Sequence, residues 1–146
     1  MKTLNDILWA PAQREAFAAD LVKLVEQHVA NTRGLRGIGL KTGLSLLKAA
    51  KPDLLDGALR RNAPQFIAAL EPLYESFLNQ PGGDFAVFLQ KNTDDAREAL
   101  LSVADRRVAA SSNGGLKSAY KRMRGSAESE IEAAIPALGS LIRGYL

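Results

Sequence analysis

Apolar residues recur along this chain at intervals of three and four, and nowhere do four or more residues alternate apolar and polar in a β-branched or aromatic setting. That spacing gathers side chains on one face of a helix and on no face of a strand. The expected fold is therefore all-α: a single-domain bundle of about six helices, some kinked at prolines, with a long carboxy-terminal helix along the core. At 146 residues the chain can bury one core and is too short for two.

The first long helix is predicted from Pro11 to about Thr32, with Phe17, Leu21, Leu24, Val25 and Val29 on one stripe and Gly34 ending it. A second, from about Gly39 to Ala50, stops before Pro52, because the residue preceding proline is pushed out of helical geometry. Asp53 is placed to cap a short helix through Arg61, and Pro64 to open the next, which carries Phe66, Ile67, Leu70, Leu73, Tyr74 and Phe77 and contains Pro72. After the loop at Asn79 to Gly83 and a short apolar turn at Phe85 to Leu89, Thr93 is expected to cap a helix through Ala110 with Ala96, Leu100, Val103 and Val108 inward. The last helix has Leu116, Tyr120, Met123, Ala127, Ile131, Ala134, Leu138, Leu141 and Tyr145 as its stripe, with a kink at Pro136.

Ile67, Ala69, Pro72, Ser76 and Leu78 are echoed 64 positions later by Ile131, Ala133, Pro136, Ser140 and Ile142. The echo fits an internal pseudo-repeat with half-repeats 11–79 and 93–146. Coincidence in a chain rich in alanine and leucine is the competing explanation.

Composition closes off several chemistries. With no cysteine there is no thiolate nucleophile, zinc knuckle, iron–sulfur cluster or disulfide, and one histidine, His28, leaves no His-rich metal site. Ser140 follows Gly139 without the second flanking glycine of a nucleophile elbow. Glu128 with Glu132, and Asp94 and Asp95 with Glu98, read as solvated helix surface rather than metal loops. The reading assigns no catalytic residue, no metal and no cofactor. No apolar stretch approaches the ~18 residues of a spanning helix, and Met1 to Leu8 lack a leader's pattern, so a cytoplasmic protein without a transmembrane segment is expected.

The net charge of +3 is unevenly spread: residues 33–61 sum to +5, residues 62–105 to −5, and residues 106–124 to +6. In the first basic block, Leu35, Gly37, Ile38, Gly39, Lys41 and Thr42 resemble the hairpin of helix-hairpin-helix DNA-binding modules. The resemblance implies that Gly37 and Gly39 offer backbone amides, and Lys41 a charge, to a phosphate. It departs from that pattern with Arg36 where proline is common and Gly43 where alanine is usual, and the preferred reading is a Gly-rich connection between packed helices. In the second block, Lys117, Lys121 and Arg124 share a helical face that could track phosphates, although a solvated face is the simpler reading. Asp105, one turn from Leu101 and Val108, is read as a structural ion-pair candidate for Arg106, Arg107 or Tyr120. His28, near a helix end, is given a charge–dipole or packing role.

The string Leu100, Leu101, Val103, Asp105, Arg107, Ser111, Tyr120, Arg124, Ala134, Pro136, with Gly34, Lys51, Pro52, Pro64, Phe66 and Pro72, resembles a family of small all-helical bacterial proteins of uncharacterised function. The resemblance implies a compact helical domain and no particular activity. Function is thus expected to be non-enzymatic: a binding or protein-interaction module with an unknown protein partner or a second copy of itself. The alternative is weak non-specific nucleic-acid binding through Gly37, Gly39, Lys41, Lys117, Lys121 and Arg124. The third is an apolar pocket between helices that holds a small or lipid-like ligand.

Overall fold

The computed structural model describes residues 2–32, 34, 38, 41, 42, 45, 54–80, 83–112 and 114–146. Among the described residues helices are the only regular elements: α1 (Leu4–Leu8), α2 (Arg14–Asn31), α3 (Leu54–Leu78), α4 (Phe85–Lys91), α5 (Thr93–Ala109) and α6 (Gly114–Arg143). They pack as an all-α bundle, and no described helix is long and apolar enough to cross a membrane. Of the helix expected from Gly39 to Ala50, Lys41, Thr42 and Ser45 are helical, and its remainder, like the Asp53 cap, lies outside the described residues.

The amino terminus joins the core, which its sequence did not suggest. Thr3 and Asp6 form a capping box: the Asp6 amide donates to Thr3 Oγ1 at 3.1 Å and the Thr3 amide to Asp6 Oδ2 at 3.0 Å. These bonds hold the Asp6 carboxyl below its ordinary pKa. Leu4 and Leu8, one turn apart, are fully buried. The otherwise unpaired Leu4 amide donates to Glu71 Oε2 at 2.7 Å, and Asn5 Nδ2 donates to the Pro64 carbonyl, so α1 is docked on α3 at both its apolar face and its polar end.

Two expected boundaries move. Pro11 lies in the turn before α2 rather than in its first turn, because the Gln13 and Arg14 amides both fold back to the Ala10 carbonyl. Thr93 is not a cap: its hydroxyl donates to the Gln90 carbonyl at 2.6 Å, since only Asn92 separates α4 from α5 and the junction is tied backwards. The cap that does operate is Asp84, whose Oδ1 accepts from the Ala86 and Val87 amides at the start of α4. Gly34 has φ +77°, the left-handed region open to glycine, just after α2 ends.

The two helices expected on either side of Asn62 are one. α3 runs 25 residues through Pro64 and Pro72, each of which removes an intrahelical bond. Ala63, Ile67, Leu70 and Tyr74 form an unbroken buried line across both prolines, and burying that continuous face outweighs the lost amides. Tyr74 meets Phe85, and Phe77 meets both Phe85 and Phe88 of α4, with ring centroids 5.3 to 5.9 Å apart.

The predicted stripe of α6 is rotated by one position. Among its described side chains the deepest are Ile135, Gly139 and Ile142, whereas Ile131, Ala134, Leu138 and Leu141 are half-buried on the flanks, and the expected Leu116 and Met123 lie outside the described side chains. The reason is that α6 packs against α4 and α5 together, so its buried arc centres between them. At Gly139 a Cβ would stand 3.1 Å from Ala86 Cα, so glycine there permits the close crossing of α4. Gly125, by contrast, has nothing within 4 Å. Gly125→Ala should therefore stabilise the fold by about 0.5–1 kcal/mol through helix propensity alone, while Gly139→Leu should destabilise it by about 1–3 kcal/mol; urea denaturation of both variants checks the contrast.

Candidate functional site

Where α2, α3, α5 and α6 face one another their apolar stripes do not close. A pocket of about 310 Å³ remains, and its wall presents no polar surface. Phe17, Ile67, Leu70 and Ile142 make a fully buried floor; Leu21, Val25, Leu59, Phe66 and Ile131 are half-buried and form the side nearer solvent. The space exists because both stripes become small there: α3 offers Ala63 and α5 offers Ala104 between larger neighbours. An apolar wall of this kind favours contact with apolar molecules over water.

One wall residue, Asn62, is polar, and its amide is consumed elsewhere. Its Nδ2 donates to the Ala58 carbonyl at 2.8 Å, and its Oδ1 accepts from Arg107 Nε at 2.7 Å. The Asn62 polar atoms are therefore turned from the pocket, and they tie the exposed Arg107 of α5 to α3.

A second, more polar hollow of about 560 Å³ lies between α2 and α6, lined by Asp20, Lys23, Gln27 and His28 on one side and Ala133, Ala137 and Ser140 on the other. His28 Nε2 is hydrogen-bonded to Glu130 Oε2 across the two helices. Tyr145 donates to Asp20 Oδ2 at 2.6 Å, and burial first, then this partner, pushes its phenol up to about 12. Asp20 and His28 are thus both engaged in tying α2 to the α6 end of the chain. Among the described residues no three His, Asp or Glu side chains converge as a metal ion requires.

The residues singled out from sequence fall as follows. Asp105 accepts from Tyr120 (2.8 Å) and takes both Nε and Nη2 of Arg124 (2.9 and 3.2 Å); its partners are these and not Arg106 or Arg107. Arg124 and then Tyr120 hold the Asp105 carboxyl below its ordinary value, while burial and Asp105 push the Tyr120 phenol up to about 12. Arg124, which also reaches Glu128, is therefore neutralised within the face it was expected to share with the exposed Lys117 and Lys121. Lys41 is exposed, and Gly37 and Gly39 lie outside the described residues. The acidic stretch is partly self-contained: Arg97, only 17% exposed in its side chain, sits among Asp94, Glu98, Glu128 and Glu132.

Residues 4–146 match the family described as a family of unknown function (DUF6918), and the chain belongs to that family. No curated protein and no solved structure matches the chain.

Asp105 yields a pH test. A carboxyl whose folded pKa is depressed stabilises the fold above its unfolded pKa, and that contribution disappears as pH falls through the folded value. Asp105→Asn should cost under about 1 kcal/mol at neutral pH, as an ion pair this exposed allows, and the deficit should shrink at acid pH, as the wild-type carboxyl is protonated on passing down through its depressed folded value. Denaturant titrations of both proteins at the two pH values measure it.

Proposed function

We propose that this chain is a binding protein for a small apolar ligand, and that the pocket between α2, α3, α5 and α6 is its site. The observation that carries the reading is the wall itself: about 310 Å³ bounded by four helices with no polar surface. A ligand held there meets no acid, base or nucleophile, so the arrangement favours binding over catalysis. The volume is about twice the ~150 Å³ of an apolar cavity that takes up benzene, which suits a molecule of about a dozen non-hydrogen atoms.

A protein-interaction role has one observation in its favour. Val87, 48% exposed, stands with Phe77 and Phe88 around a hollow of about 160 Å³. That hollow has about half the volume of the pocket. Nucleic-acid binding is weakened by the capture of Arg124 in carboxylate pairs.

Naphthalene is a suitable probe. Saturating naphthalene should raise the melting temperature of the wild type by about 2–4 °C for each kcal/mol of binding energy gained. Ala104→Leu, which fills the pocket with branched carbon, should melt no lower than wild type without ligand and show no such rise. An unmoved wild-type transition, or an equal rise in Ala104→Leu, would contradict the reading.

A further inference from the structure

The fold adds cations to the basic stretch 106–124 instead of neutralising it. Arg107 donates through Nε to Asn62 Oδ1 at 2.7 Å, which sets the exposed Arg61 of α3 near the last turn of α5. Tyr120 and Arg124 both reach Asp105, so the start of α6, with Lys117, Lys121 and Arg122, lies against that same part of α5. Six exposed cations, Arg61, Arg106, Arg107, Lys117, Lys121 and Arg122, thus gather where α5 ends and α6 begins. Among the described residues none of the six has a carboxylate within ion-pair distance, whereas Arg60, Arg97, Arg124 and Arg143 are all paired. The acids carried by the same stretches are already taken: Asp56 by Arg60, Asp105 by Arg124, and Glu128 by Arg97 and Arg124. The exposed acids Asp94, Asp95 and Glu98 stand at the opposite end of α5, about 15 Å or more away by helical rise. That is beyond the Debye length of about 8 Å at physiological salt, so they do not cancel the field of the basic end.

We propose that this end of the bundle docks the protein on an anionic lipid surface. Six cations fall within the cluster of about four to eight Lys and Arg that such a surface attracts. Docking is peripheral, since no described helix is long and apolar enough to cross a membrane. Two arguments favour lipid over nucleic acid. The row Lys117, Lys121 and Arg124 that would track phosphates loses Arg124 to Asp105 and Glu128, and Tyr120, the aromatic residue among these cations, is half-buried and tied to Asp105 rather than presented to a base. The second argument rests on the pocket reading above: an apolar guest dissolves in lipid and not in nucleic acid.

Flotation of the full chain with vesicles tests this. Vesicles of phosphatidylcholine with phosphatidylserine should carry the protein and lose it as ionic strength rises, and vesicles of phosphatidylcholine alone should not carry it. Two double variants remove the same net charge from different places. Lys117→Gln with Lys121→Gln should weaken vesicle binding about tenfold or more, and Lys2→Gln with Lys91→Gln, two exposed cations outside the cluster, by about twofold or less. Neither of the first two lysines has an ion-pair partner to lose, so the melting temperature should stay at the wild-type value. An equal loss in both double variants would show a response to net charge alone and overturn the assignment. Equal flotation with neutral vesicles, or none with anionic ones, would overturn it too. Retention by duplex DNA without retention by vesicles would pass the surface to nucleic acid. Vesicle binding by a protein whose transition naphthalene does not move would overturn the pocket reading and leave this surface standing.

Discussion

The bundle depends on one close crossing, that of α6 over the short helix α4 at Gly139 and Ala86. Because no side chain separates the two backbones there, Ile135 and Ile142 on either side sink fully into the core, and the end of α6 comes within reach of the α4 cap. Arg143 then donates to Asp84 Oδ2 at 2.9 Å while Asp84 Oδ1 still holds two amides of α4. One carboxylate thus terminates a helix and anchors another, and the Arg143 bond, helped by the two amides, lowers its pKa from the ordinary value. Just beyond, Tyr145 packs edge-on against Phe17 at 5.3 Å and bonds Asp20, which draws in α2.

The pocket is a consequence of that arrangement. α2 is fastened to the carboxy-terminal end at Tyr145 with Asp20 and to α6 at His28 with Glu130, while α3 is held by α1, α2, α4 and α5. The helix axes are fixed by these contacts, and the alanines at 63 and 104 are too short to meet across the space between them. In an interior packed at crystal density, an unfilled apolar volume forfeits dispersion contacts. A ligand that supplies those contacts is stabilising, so the same deficiency that weakens the empty core provides the affinity for a guest.

Much of the architecture was readable from local spacing. The helical class, the end of α3 before Asn79, the inward line Ile67, Leu70 and Tyr74, and the end of α2 before Gly34 all follow from interactions within four residues along the chain. The misreadings are instructive in the same terms. Pro64 resembles a helix start when seen locally, yet the apolar face continues beneath it, and packing by α1 and α5 kept α3 whole. Thr3 with Asp6 is a capping box with aspartate in place of the usual glutamate, and the short apolar pair Leu4 and Leu8 behind it carried too little periodicity to announce a core element.

By itself the sequence determined that this chain is helical, where most of its apolar faces run, and that thiol and His-rich metal chemistry are closed to it, because these depend on residue type and near-neighbour spacing. Only the tertiary structure decided which arc of α6 is deepest, that Arg124 and not Arg106 or Arg107 answers Asp105, and that Arg107 bonds Asn62 instead. Asn62 and Arg107 are 45 residues apart, His28 and Glu130 102. No periodicity spans such separations, and a void has no residue of its own: it is what four helices leave between them once their contacts elsewhere have set the axes.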